Sequence, residues 1–288
     1  MPRFYCHLPL EIGLRIALPE AVAHHVQVLR LREGEIITLF NGAGGEYSAV
    51  LTAVERRRAE AEIKAFSPRE AEPGHAIALA QALPEGTKMD WIVEKAVELG
   101  ATAIQPLVAQ RSVVRVDQER ALKKAAHWQA VIVAAAEQSG RNRLPSLAPV
   151  LPYNAWISQQ DMHKRLLLSP RATGSLADWA RHHPPQAVTL IVGPEGGLSD
   201  EEEQAAIRHG AICVAMGPRV LRTETAGLAA LAALQALWGA LELRLAGSAA
   251  GTAARGLAAN VAAPGATHDP RDAVVGHART PAFPRLPE

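Results

Sequence analysis

Two glycine loops, each ending an apolar run and each followed by a helix start, lie close together in residues 189–238. Nothing else in the chain constrains its fold as strongly. Residues 189–192 form a short apolar run with the character of a buried strand. Gly193-Pro194-Glu195-Gly196-Gly197 follows at once and puts bare backbone where the strand ends. Ser199 with Glu202 three residues on predicts a capping box, and Gly210 marks the far end of that helix. Residues 211–216 predict a second buried strand, broken by Gly217-Pro218. Thr223-Glu224-Thr225 then predicts a cap for a helix running to about Leu243. Two such loops in succession predict a ligand pocket at the carboxyl edge of a parallel sheet. A lone GxxGG would be read as an ordinary turn; the second loop, the caps and the upstream motifs favour the pocket.

The helix start after the first loop narrows the ligand. A dinucleotide would set its pyrophosphate there. Asp200, Glu201, Glu202 and Glu203 occupy that turn, with Glu195 close by, and the spacing is GxxGG rather than GxGxxG. Such a cluster complements the helix dipole but repels phosphate. A cationic, phosphate-free ligand fits better, and S-adenosylmethionine is one such ligand.

With 288 residues, 48% hydrophobic and 20% charged, the composition is that of a globular protein with a sizeable core in one or two domains. A net charge of +1 gives no global basic field, so any RNA contact must use local patches. Cys6 and Cys213 form no framework, and a reduced, cytoplasmic setting is expected. Residues 1–9 mix charge and polarity and give no expectation of a secretory signal. The alanine-rich stretch from Ala226 is interrupted by Gln235 and Glu242, so a buried or subunit-interface helix is expected there rather than a membrane span. His24-His25 lacks a third ligand, and neighbouring residues on a helix diverge, so no metal is expected.

Along the chain, residues 1–72 predict a small β-rich domain. Strands are expected at 3–8, 35–40, 46–54 and 60–66, a helix at 19–31, and a hairpin at Asn41-Gly42 with Gly44-Gly45. Closure of short strands predicts a barrel-like form. A Pro-containing linker at 67–74 leads to alternating strands (76–82, 103–107, 165–168) and helices (89–99, 117–138), the pattern of a mainly parallel α/β domain. Residues 246–288 are rich in Ala, Gly and Pro without periodicity, and disorder is the simplest expectation.

VGPEGGLSDEE (192–202) and MGPRVLRTETAGLAAL (216–231) resemble the signature of the SPOUT methyltransferases, most closely the ribosomal RNA small subunit methyltransferase E group. Lys88-Met89-Asp90-Trp91 with Glu98-Leu99-Gly100, Glu137-Gln138-Ser139-Gly140-Arg141, Phe4-Tyr5, and His24-His25 through Leu31 extend the resemblance over roughly residues 1–245. It implies a PUA-like RNA-binding β-barrel domain (1–72), a trefoil-knotted parallel-sheet methyltransferase domain (73–245), and a tail outside the match (246–288). It implies S-adenosylmethionine-dependent methylation of uridine N3 in 16S rRNA of the small ribosomal subunit, by a homodimer whose partner helps complete the site. The backbone of Gly193, Pro194, Glu195, Gly196 and Gly197, and of the loop carrying Met216, Gly217, Val220 and Leu221, should cradle the cofactor. Leu168 should lie against the adenine, and Thr223 and Thr225 are candidate hydrogen-bond partners when they are not simply capping.

Uracil N3 carries a weakly acidic proton, so a site acting on it must remove the proton or stabilise the anion. Arg222 is placed to stabilise a uracil oxygen, unless it is paired with Glu224 or the acidic turn. Glu137 and Glu224 are candidate bases, but nothing in the sequence places either against a substrate, and a structural acceptor is the expected role of each. Arg3, Arg30 and Arg32 are the expected RNA contacts, through phosphate. Three rival readings stay open: a SPOUT enzyme acting on another RNA nucleotide, a non-catalytic RNA-binding assembly factor, and a nucleotide-dependent oxidoreductase.

Overall fold

The computed structural model describes residues 1–113 and 118–241. The expected helix start at Asp117 and the tail at 246–288 lie outside the described residues.

The first third of the chain folds as β1 (Arg3–Tyr5), β2 (Arg15–Ala17), α1 (Glu20–Val28), β3 (Ile36–Phe40), β4 (Glu46–Glu55) and β5 (Arg58–Ser67). These strands make one sheet in the order β1-β3-β4-β5-β2. Its ladders are antiparallel except β1 with β3. That exception follows from connectivity: β2 and α1 intervene between β1 and β3, and only a long crossover lets neighbours run parallel. Phe4, Ile16, Val26, Ile37, Leu39, Leu51 and Ile63 meet in a single core, so both edge strands and α1 bury into one interior. Three-residue β2 is too short to show an alternation and is not visible in the sequence pattern.

The remainder builds a parallel sheet. Its elements are β6 (Ile77–Ala82), α2 (Lys88–Glu98), β7 (Ala103–Val108), α3 (Gln118–Ser139), β8 (Ser146–Leu147), β9 (Leu151–Pro152), α4 (Tyr153–Ile157), β10 (Lys164–Leu168), α5 (Leu176–His182), β11 (Val188–Val192), α6 (Asp200–Arg208), β12 (Ile212–Val214) and α7 (Thr223–Leu237). The strand order is β12-β10-β11-β6-β7-β8, with β9 also on β7. Central β6 and β11 are buried along their whole length, as expected of strands covered on both faces. Their side chains alternate between two cores. Ile77, Leu79, Val188, Leu190 and Val192 join α2, α3, α5 and α7 on one face. Ala80, Ala82 and Ile191 join α4 and α6 on the other.

The first-loop reading holds in detail. Ser199 accepts from the Glu202 N–H, and the Glu202 carboxylate accepts from the Ser199 N–H, which is the capping box. Two expectations for the second half need correction. The final helix stops at Leu237, not near 243: Trp238 caps it, Gly239 takes φ +72°, and the Trp238 indole N–H donates to Ala180 and His183 carbonyls, both at 3.2 Å. Its N-cap is Arg222, and no side chain caps it, so Thr223-Glu224-Thr225 is the first helical turn rather than the cap. Among the described residues no helix is long and apolar enough to cross a membrane.

A polar seam joins the two sheets. Arg141 is buried; it donates to the Val97 and Ala101 carbonyls at 2.9 and 2.8 Å and to Glu72 at 2.9 and 2.6 Å. Arg69 grips Glu46 (3.0 and 2.9 Å) and the Gly140 carbonyl (2.8 Å). Asn142 donates to the Arg69 carbonyl at 2.6 Å.

Candidate functional site: a cavity at the carboxyl edge of the parallel sheet

Strands β10, β11 and β12 run parallel in neighbouring positions, so the loops that follow them emerge along one edge. They enclose a cavity of about 570 Å³, inside the range usual for small-molecule sites. Leu168 and Val192 form its apolar floor at the strand ends. Residues 193–198, Met216, Gly217 and residues 219–222 form its walls, and Thr223, Glu224 and Ala226 of α7 close one side. Three segments remote in sequence complete it: Lys88 at the start of α2, Arg111 beyond β7, and Ser169-Pro170-Arg171 after β10.

The first loop folds tightly on itself. A Cβ at Gly193 would lie 3.0 Å from the Leu198 nitrogen and 3.2 Å from the Gly197 carbonyl carbon, so a side chain there would require the loop backbone to give by a few tenths of an ångström. Gly197 has φ +67°, a conformation that favours glycine. The loop is anchored from α7: the Thr223 hydroxyl donates to the Gly193 carbonyl at 2.5 Å and accepts from buried Gln81 at 3.0 Å. Thr223 therefore lines the cavity as a brace between β6, the first loop and α7. Thr225 is exposed and lies outside the cavity wall, which corrects its expected cofactor contact. Leu168, Gly193, Pro194, Glu195, Gly196, Gly197, Met216, Gly217, Val220, Leu221 and Arg222 all line the cavity.

The electrostatics differ from the sequence expectation. Glu202 points inward, taking the Gln110 N–H at 2.8 Å as well as its own cap. Arg171 holds Asp200 at 2.6 Å and Glu203 at 2.8 Å. Its hydrogen bonds to Asp200 and then Glu203 raise its pKa. Glu195 accepts from Lys88 at 2.6 Å and from the Glu85 N–H at 3.1 Å. Burial pushes the Glu195 carboxyl up, but Lys88 and backbone N–H groups together hold it below its ordinary value. The wall carries five basic side chains (Lys88, Arg111, Arg171, Arg219, Arg222) and three acidic ones (Glu195, Glu203, Glu224). A repulsive acidic turn therefore does not govern the ligand, because most of that turn is engaged by protein donors. Arg222 is exposed and has no side-chain partner among the described residues, so it is not the structural ion pair weighed against its catalytic role.

Glu137 is not in this cavity. Its carboxylate accepts the Tyr5 N–H at 2.8 Å and lies 3.7 Å from the His25 ring, at the seam. Burial, partly offset by the Tyr5 N–H, raises its pKa. The expected base role for Glu137 is corrected accordingly: the helix α3 that carries it faces β1. Arg3 is likewise a seam residue. It pairs with Glu46, donates to Asn142 at 2.7 Å and to the Arg141 carbonyl at 3.3 Å, and lies 5.1 Å over the Phe40 ring. Its two terminal guanidinium nitrogens are engaged within the fold and its Nε is buried without a partner, which corrects its expected RNA contact. Arg30 and Arg32 are exposed. Among the described residues no His, Cys, Asp and Glu group could hold a metal ion.

The sequence matches two family models: an RNA methyltransferase domain over residues 70–235 and an RNA methyltransferase PUA domain over residues 18–64. The ribosomal RNA small subunit methyltransferase E of Bacillus subtilis is 33% identical over 222 residues, covering 75% of this chain and 87% of that protein. That of Synechocystis is 34% identical over 234 residues, covering 78% and 74%. The chain belongs to the ribosomal RNA small subunit methyltransferase E family. Its fold is shared with the Neisseria gonorrhoeae methyltransferase E bound to S-adenosyl methionine, with a TM-score of 0.79 and 44% identity over 83% of this chain and 98% of that one. Family membership thus rests on nearly the whole described chain, and the α/β methyltransferase fold with its N-terminal PUA-like portion agrees with the sequence expectation.

The cavity fits the cofactor of this family on its own features. Glycine backbone approaches without side chains at Gly193 and Gly197, an apolar floor is available at Leu168, Val192 and Met216, and one carboxylate oxygen of Glu224 is buried without a hydrogen-bond donor.

Proposed function

We propose that this chain methylates N3 of a specific uridine in 16S rRNA of the small ribosomal subunit, using S-adenosylmethionine. The observation that carries the reading is the cavity at the carboxyl edge of β10, β11 and β12, whose two glycine loops lie within the span matched by the RNA methyltransferase domain model. Gly193 to Gly197 and Met216 to Leu221 hold the cofactor through backbone groups, with Leu168 against the adenine. When bound, S-adenosylmethionine supplies an electrophilic methyl group on a sulfonium. Arg222 sits at the cavity with no competing partner and stabilises negative charge developing on a uracil oxygen. Thr223 keeps the Gly193 loop in the shape that admits the cofactor.

In this reading residues 1–72 guide the RNA and residues 73–245 carry the knotted catalytic domain. Exposed Arg30 and Arg32 contribute phosphate contacts. The enzyme acts in the cytoplasm as a homodimer. Ala229, Ala232, Ala233 and Ala236 of α7, none of them buried, support a close helix contact between copies. Titration calorimetry of the purified chain with S-adenosylmethionine and, separately, with NAD tests the cofactor. Binding of the first alone is expected; binding of NAD alone would make the cavity a dinucleotide site.

A further inference from the structure

The uracil N3 proton needs an acceptor, and the cavity wall offers few. This inference rests on the proposed methyl transfer to N3. No His, Cys or Tyr lines the cavity among the described residues. Lys88 is held as an ammonium by its hydrogen bond to Glu195, which raises its pKa. Three carboxylates remain. Glu195 is engaged by Lys88 and the Glu85 N–H. Glu203 is engaged by Arg171 at 2.8 Å and by the Ser169 hydroxyl at 3.3 Å. Glu224 differs: its Oε2 is closed off from solvent and has no hydrogen-bond partner. A desolvated acceptor left without a donor costs about 1–3 kcal/mol. Folded proteins leave few such atoms, and each asks for a reason. Eight other described side-chain atoms share that state, but none of them belongs to the cavity wall.

We infer that Glu224 is the catalytic base. Its carboxylate takes the proton as the uracil N3–H bond breaks. The electron pair stays on N3 and forms the bond to the methyl carbon, while the sulfur–methyl bond breaks with its pair retained on sulfur. The proton passes to solvent from Glu224 after the methylated base leaves. Lys88 from α2 is near enough for the Glu224 charge to help raise its pKa, and Glu195 and Arg222 line the same cavity. Arg222 and Glu224 thus serve opposite ends of one event: the arginine stabilises charge on a uracil oxygen as the glutamate removes the proton.

The test compares wild type with Glu224→Gln and Glu224→Asp in calorimetric S-adenosylmethionine binding and in methyl transfer to small ribosomal subunits across pH. Glu224→Gln should bind the cofactor within about twofold of wild type and lose roughly 10²–10⁴-fold in transfer rate. Its residual rate should climb about tenfold per pH unit between roughly pH 6 and pH 9, because only pre-ionised uracil reacts, while wild type stays flatter. Glu224→Asp should retain a measurable part of the rate with the wild-type pH dependence. A Glu224→Gln rate within about threefold of wild type, an unchanged pH profile, or loss of cofactor binding in step with rate would each overturn the assignment. Wild type that places no methyl on N3 would instead sink the proposed function, so the two failures are told apart by the wild-type reaction.

Discussion

At the seam between the sheets, Arg141 is 4% exposed and makes four hydrogen bonds. At the cavity mouth, Arg222 is exposed and has no side-chain partner among the described residues. Both belong to motifs that stand out in the sequence, yet their surroundings are opposite. Arg141 matches every guanidinium donor it uses with a carboxylate or a carbonyl, which fixes one sheet against the other. The cavity leaves an arginine and a carboxylate oxygen unmatched, and unmatched polar groups are what a substrate can engage. A residue's prominence in the sequence therefore does not say which of the two tasks it performs; its partners do.

Four predictions break or sharpen that contrast. Arg141→Ala should cost about 3–5 kcal/mol in denaturant unfolding, because it strands Glu72 and two carbonyls. Loss of under 1 kcal/mol would mean the seam is not held there. Arg222→Ala should leave the melting midpoint in place and lower methyl transfer by about 10²–10³-fold, with cofactor affinity unchanged. Equal loss of rate and affinity would make Arg222 a cofactor contact. Thr223→Val removes a buried hydroxyl that ties Gly193 to Gln81, and should cost about 1–3 kcal/mol while weakening cofactor binding; unaltered binding would show that the loop holds its shape unaided.

The smallest expected effect is a pH dependence. Hydrogen bonds from Arg69, and from Arg3 behind them, hold the Glu46 carboxyl down at about 2 from 4.5. A depressed carboxyl stabilises the fold above its unfolded pKa. That contribution is therefore present above 4.5 and fades as pH falls from 4.5 toward 2. Glu46→Gln should flatten the stability profile in that window, and an unchanged slope would place the acid sensitivity elsewhere.

What the sequence shows of this molecule is what is local. The capping box at Ser199 and Glu202, the strand before Gly193 and the turn at Gly210 all depend on residues within one turn or strand. The short helix α5 carries its own signal, Ser175 accepting from the Asp178 N–H, but seven residues show too little periodicity to reveal it. The cavity wall is a different matter. Lys88, Arg111 and Arg171 reach it only because β10 and β11 lie beside β6 and β7 in the sheet. The acidic turn's neutralisation is invisible in the sequence for the same reason: Arg171 and the Gln110 N–H, which engage it, are remote in sequence. Glu137 and Arg3 look available in the sequence and prove to be engaged with each other's sheets.

The most direct test of the central claim is mass spectrometric analysis of 16S rRNA nucleosides. Small subunits would be incubated with the purified chain and S-adenosylmethionine carrying an isotope-labelled methyl group. The account predicts label in N3-methyluridine at a single position. Label in another nucleoside, or on a ribose oxygen, would contradict it, as would cofactor binding with no label in the RNA.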